Sequence, residues 1–196
     1  MIDFFTVYLE HFSYSALFLF VVASSVGLPF PEEVLFFLSG YLGSLGVTNI
    51  LAAIGVGIAA VMTGDNLAFW IGSRRGEEML QHLEYHVPGS RRFFKRAFRF
   101  FELFSSPAVF FSRFLPGIRF FIPYIAGASR MPWRQFFWWD AAGAVLWVGA
   151  ATLLAFFFAE SLDVLGVLKE IRHVIWAVIG VIILFVFFVR LLRKNH

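Results

Sequence analysis

Arg113 and Arg119 stand in the segment Phe110-Phe-Ser-Arg-Phe-Leu-Pro-Gly-Ile-Arg-Phe-Phe-Ile-Pro-Tyr-Ile-Ala-Gly-Ala-Ser129, which is otherwise almost entirely apolar. A guanidinium presents a rigid fork of donors that matches the oxygens of a carboxylate or a phosphate two at a time. At bilayer depth such a charge costs at least about 2.5–3.5 kcal/mol on insertion scales, so it normally faces a cavity, a partner or a substrate. Four acids sit in similarly apolar surroundings: Glu32 and Glu33 after Pro31, Asp65 after Gly64, and Asp140 after an aromatic run from Trp133 to Trp139. Carboxylates in a poorly hydrated cavity can exchange protons near neutral pH. Two readings follow. In the simpler one the six charges only neutralise one another as structural ion pairs. In the functional one Arg113 and Arg119 bind a phosphate, while Glu33 and Asp65, with Glu32 and Asp140 beside them, are proton-coupling groups or charge partners. A straight helix would put the two arginines on different faces, but Pro116-Gly117 lies between them, and a bend there lets both heads converge.

Other chemistries find little support. Cysteine is absent, which excludes disulfides, thiolate metal sites and cysteine nucleophiles within the chain. His82 and His86 are four residues apart on an expected helix, yet no third ligand accompanies them, so they read as an exposed pair and no metal is expected. Ser39, Ser112 and Ser129 lack a histidine and an acid in any nucleophile motif, so an enzyme is not expected, nor a cofactor.

The elements that must position these charges belong to a membrane. Of 196 residues, 60% are hydrophobic and 15% charged, with a mean hydropathy of +0.79. Ordinary globular domains are about 45–50% apolar and about 25% charged. The chain reads as a single all-α integral membrane domain, 1–196, with about four spanning helices and two opposed re-entrant hairpins.

The first repeat, 1–72, holds a short interfacial helix over 1–12, a first span from Tyr14 to Leu28, an outer hairpin over 28–47, and a glycine- and alanine-rich span from Thr48 to Gly72. The start is read as retained structure rather than a cleaved signal, since it lacks a basic n-region. Residues 73–105 are the polar region, with seven bases: Arg74, Arg75, Arg91, Arg92, Lys95, Arg96 and Arg99. There Phe93, Phe94, Ala97, Phe98, Phe101 and Phe104 recur at helical spacing. That pattern predicts an amphipathic helix lying on the bilayer, its aromatics toward lipid and its bases toward anionic head groups, with no role in nucleic-acid binding.

The second repeat, 106–160, holds an inner hairpin over 106–130 and a span from Trp133 to Glu160; a last span covers 173–190. Both halves read as proline, charge, apolar turn and small residues, then a span carrying an acid, and enter from opposite faces, the logic of inverted-repeat transporters. The positive-inside rule puts the basic region and Arg190, Arg193 and Lys194 on the cytoplasmic side. The implied path runs out, back in, out and in, with both termini cytoplasmic.

The same residues carry a family resemblance. Gly27-Leu-Pro-Phe-Pro-Glu-Glu33 with Ser39-Gly40, Gly64-Asp65 ahead of Trp70-Ile-Gly-Ser-Arg-Arg-Gly76, Phe111-Ser-Arg-Phe-Leu-Pro-Gly-Ile-Arg119 with Ala126-Gly127 and Met131-Pro132, and Gly143 to Trp147 resemble the DedA family of membrane proteins, which share the VTT domain. The resemblance covers roughly residues 15–160. It implies two opposed re-entrant hairpins and a role in moving lipids: bacterial members are implicated in returning undecaprenyl phosphate or translocating phosphatidylethanolamine, often with dependence on the proton gradient, and eukaryotic relatives scramble phospholipids. It also implies essential roles for Glu33, Asp65, Arg113 and Arg119. Asp140 departs from the pattern, since many members have Asn there.

The expectation is therefore a flippase or scramblase of the bacterial inner membrane whose partners are membrane lipids, with a homo-oligomer left open. A secondary transporter of a small ion or osmolyte and a membrane-embedded lipid phosphatase or transferase are the alternatives.

Overall fold

Pro31 cannot continue a helix from its own N–H, and the two acids that follow it favour the positive end of a helix dipole, so a helix starts at Glu32. The structure, a computed structural model, describes residues 2–26, 31–86, 90–115 and 117–159. They form helices α1 (Ile2–Val26), α2 (Glu32–Ser44), α3 (Ile50–His86), α4 (Ser90–Phe104), α5 (Pro107–Ser112), α6 (Ile122–Ala128) and α7 (Trp133–Phe157), with no strand among the described residues. All belong to one compact unit, Met1–Phe157. The expected connection over 161–172, the last span over 173–190 and the C-terminal bases lie outside the described residues.

Local signals set the boundaries. Asn49 caps α3, its Oδ1 accepting from the N–H groups of Leu51 at 2.9 Å and Ala52 at 3.1 Å. A left-handed residue follows α2 and another follows α6, Gly46 at φ 71° and Arg130 at φ 55°. Each closes a paired turn: Gly46 N–H donates to Gly43 O and Val47 N–H to Leu42 O, and likewise Arg130 N–H to Gly127 O and Met131 N–H to Ala126 O. Within α3, Gly76 (φ 46°, ψ −127°) breaks the helix and separates an apolar part from the polar end.

Ile50–Gly76 and Trp133–Phe157 are long and apolar enough to cross a membrane, at 27 and 25 residues. At about 1.5 Å per residue they measure roughly 40 and 37 Å, against about 30 Å of hydrocarbon. The interfacial helix expected over 1–12 and the short first span are instead one continuous helix, α1, with its apolar stretch at Ser13–Val26.

The direction of α1 corrects the expected path. At one end the Tyr14 hydroxyl accepts from Asn49 N–H at 2.8 Å, and at the other Ser25 packs on Gly64. Residues 14–25 and 49–64 therefore run side by side in the same sense, whereas the path required α1 and α3 to be antiparallel. Helix α2 returns between them, Phe36 lying against Gly57 and Gly43 against Ile50. Helices α1 and α2 are accordingly an antiparallel pair. Hydropathy reports the length of an apolar run and not its direction.

Backbone-to-backbone contacts at three glycines lock the helices in two pairs. A side chain at Gly72 of α3 would strike the Tyr124 carbonyl of α6, and one at Gly127 of α6 would strike the Phe69 carbonyl and lie 2.8 Å from the Ser73 nitrogen of α3. Likewise a side chain at Gly40 of α2 would strike the Thr152 carbonyl of α7. Small residues allow this approach.

Helix α4 differs from expectation in what covers it. Phe94, Ala97 and Phe101 are buried in a core with Phe121, Ile122 and Ile125, and Phe94 meets Phe121 edge-on at 5.9 Å. Its aromatic face thus packs largely on protein rather than lipid, while Arg92, Lys95, Arg96 and Arg99 are exposed. A surface-lying helix and a helix docked on a bundle have the same periodicity, so spacing alone does not distinguish them.

Candidate functional site

Each charged side chain is placed by a helix end or a span. Glu32 and Glu33 occupy the first turn of α2, Asp65 lies within α3 and Asp140 within α7. Arg113 follows the last residue of α5, and Arg119 lies in the turn ahead of α6, where Gly117 adopts φ 80°. A left-handed residue there turns the chain sharply, and the two guanidinium groups on either side of it take different carboxylate partners.

The six residues form two clusters. Arg113 Nη2 donates to Asp65 Oδ2 at 2.7 Å and also to Asp140 Oδ1, so one nitrogen joins acids from both spans. Arg119 Nη1 lies 2.7 Å from Glu33 Oε1 and 3.1 Å from Glu32 Oε1. Those contacts are ion pairs without hydrogen-bond alignment, since Nη1 has no hydrogen-bond partner. The first cluster is the drier: side-chain exposures are 5% for Arg113, 15% for Asp65 and 2% for Asp140, against 20%, 6% and 33% for Arg119, Glu32 and Glu33. Arg113 Nε and Asp140 Oδ2 are buried without partners, so the first cluster keeps one donor and one acceptor in reserve.

Gly143, one turn after Asp140, makes room for the guanidinium. A side chain there would come within 2.8 Å of Arg113 Cδ and 3.0 Å of Nε. Tyr124 ties α6 to α1, its hydroxyl donating to Val26 O at the end of α1 at 2.8 Å. An apolar cleft of about 260 Å³ between α1, α2 and the start of α3 is lined by Leu17, Phe20, Leu35 and Leu42, and none of the six charged residues borders it.

All six ionisable residues singled out from sequence are thus engaged, and their pairing adds detail. Asp140 joins Arg113 directly, and Glu32 is the more buried partner of Arg119. Ser39 and Ser112 donate their hydroxyls to carbonyls of their own helices, Phe36 and Val109. The side chains of His82 and His86 lie outside the described residues. Among the described residues no group of three metal-ligating side chains is found. Gly143, Tyr124 and Trp147 were not assigned roles from sequence; Gly143 and Trp147 could have been found by their spacing of three and seven residues from Asp140 on one helix face.

An all-helical protein with membrane-length apolar helices and buried arginine–carboxylate clusters between short helix ends is an integral membrane protein with a polar centre. More closely, the chain belongs to the DedA family: residues 30–157, from just before α2 to the end of α7, match the VTT domain. It is 27% identical over 185 residues to an uncharacterized membrane protein of Synechocystis, covering 91% of this chain and 84% of that one. Protein DedA of Escherichia coli K12 is 30% identical over 145 residues, 72% of this chain and 66% of that one. An uncharacterized membrane protein of Mycobacterium tuberculosis is 33% identical over 153 residues, 72% of this chain and 64% of that one. The matched part therefore spans just under two thirds of the latter two relatives. No solved structure matches the chain significantly.

Proposed function

We propose that the protein is a flippase or scramblase that moves a phosphate-bearing lipid across the bacterial inner membrane. One observation carries the reading: two arginines inside a membrane protein are each shared between two carboxylates, Arg113 between acids within α3 and α7 and Arg119 between acids in the first turn of α2. Guanidinium groups held this way can exchange carboxylate oxygens for those of a phosphate. In this reading Arg113 and Arg119 bind the head group, and proton uptake by Glu33, Asp65, Glu32 or Asp140 releases the arginines to do so. Undecaprenyl phosphate and phosphatidylethanolamine are the candidate cargoes. No cofactor and no covalent step are involved.

The α1–α2 and α5–α6 pairs serve as opposed re-entrant hairpins in an inverted repeat. Support comes from the shared paired turn after α2 and α6, and from the exchange of partners between halves: α2 packs on α7 through Gly40, and α6 on α3 through Gly127. Placing the exposed bases Arg74, Arg75, Arg92, Lys95, Arg96, Arg99, Arg130 and Arg134 on the cytoplasmic side satisfies the positive-inside rule and lets α4 gather anionic head groups. With α3 directed inward, residues 13–26 of α1 are also directed inward.

Purified protein in liposomes carrying a fluorescent phospholipid tests this. Wild type should move the lipid between leaflets, and Arg119→Ala and Arg113→Lys should each slow it at least about tenfold, the loss expected when a charge-assisted bond is removed. Wild-type rates from both variants would overturn the assignment. Solute flux without lipid movement would point to an ion or osmolyte transporter, and release of phosphate from lipid to an enzyme.

A further inference from the structure

Trp147 stands one turn beyond Gly143 on the face of α7 that carries Asp140, yet it belongs to neither ion-pair cluster. Its indole Nε1 is buried and has no hydrogen-bond acceptor. Buried indole N–H groups usually find one, so an orphaned donor calls for an explanation. The ring is held in place: it packs against the core that includes Phe36, Ala144 and Val148, and Phe114, the residue after Arg113, meets it edge-on at 5.5 Å with planes at 90°. Neighbouring Gly143 is in contact with the Arg113 side chain, which is itself 5% exposed and has Nε unpartnered. Arg119 Nη1 likewise lacks a hydrogen-bond partner. Arg113 Nε and Trp147 Nε1 are thus N–H donors without an acceptor, and Arg119 Nη1 is a donor held in ion pairs that lack hydrogen-bond alignment.

We propose that Trp147 Nε1 is a third donor to the phosphate group, acting alongside Arg113 and Arg119. The inference rests on the phosphate-lipid reading above and extends it to a residue outside the charged clusters. The chemistry suits an anionic oxygen with several acceptor sites: the arginines supply charge, and the indole supplies a donor that none of the four carboxylates occupies in this structure. Because the indole is neutral and rigid, it adds orientation without adding to the electrostatic cost of the site. Trp147 is thus a head-group-binding residue.

Nitrogen-15 labelling of tryptophan in the detergent-solubilised full chain tests this directly. The Trp147 indole resonance, identified by its loss in Trp147→Phe, should shift downfield when dihexanoylphosphatidic acid is added and should stay in place with dihexanoylglycerol. Trp147→Phe keeps an aromatic ring against Phe114, so its unfolding midpoint should match wild type while its lipid translocation in liposomes falls about tenfold, the loss expected for a hydrogen bond to a charged acceptor. An unmoved resonance while the same probe still binds in an Arg119-dependent way would overturn the role of Trp147, as would wild-type translocation by Trp147→Phe. Failure of wild-type protein both to bind the probe and to move lipid would instead overturn the transport reading. A full shift with inorganic phosphate at the same concentration would keep Trp147 as a phosphate donor and overturn the lipid as its cargo.

Discussion

The two arginine clusters use the same chemistry in different surroundings. Arg113 is almost sealed and lies between acids from two long helices; Arg119 is partly open and lies against two adjacent acids on one short helix. A sealed ion pair contributes little net stability when whole but is very costly to break, because removing one partner strands a charge in a dry interior. A half-open pair can be broken and remade at modest cost. The difference makes Arg113 the tie between the two spans and Arg119 the more accessible of the two guanidinium groups.

The strongest way to break this comparison is to remove each arginine in turn. Arg113→Ala should lower unfolding stability in detergent by about 3–5 kcal/mol, since it leaves Asp65 and Asp140 buried and unpaired. Arg119→Ala should cost less, because Glu33 is 33% exposed and only Glu32 is left buried without its partner. Equal losses from the two variants would erase the distinction. A smaller test leaves both arginines in place: Gly143→Ala drives a methyl group into the Arg113 side chain, and overpacking of this kind costs about 1–3 kcal/mol. It should slow lipid movement while leaving the Arg119 cluster intact, which a charge-shift measurement on Glu33 by difference infrared spectroscopy would check. The smallest effect is expected from Glu33→Gln, at about 1 kcal/mol or less, because Glu33 is the most exposed of the four acids and Glu32 remains beside Arg119. A larger loss there than from Gly143→Ala would invert the order.

The identity of the charged residues was legible in the sequence because charge inside an apolar run is expensive wherever the chain folds, so its presence alone marks Glu32, Glu33, Asp65, Arg113, Arg119 and Asp140. Which acid meets which arginine was not, since those contacts join residues 27 to 87 positions apart and depend on tertiary packing. The long helices α3 and α7 were visible as runs of the right length, and α2 as a short run after proline. The direction of α1 was hidden for the reason already given, and the docking of α4 because its period of aromatics serves lipid and protein alike. Trp147 stood in the sequence as the end of the Gly143 to Trp147 motif and on the Asp140 face of its helix, but its unpartnered Nε1 depends on tertiary packing and was not legible there.

The backbone contacts at Gly72, Gly127 and Gly40 carry a mechanical consequence. Helices α3 and α6 touch main chain to main chain, as do α2 and α7, so each pair behaves as one stiff leaf built from both halves of the sequence. Arg119 approaches from the first leaf and meets Glu32 and Glu33 of the second, while Arg113 clasps Asp65 of the first and Asp140 of the second. The ion pairs therefore bridge a seam between two stiff leaves, beside apolar contacts such as Phe69 stacked on Phe136 at 4.5 Å, so the charged contacts sit where any relative movement of the leaves would have to break them.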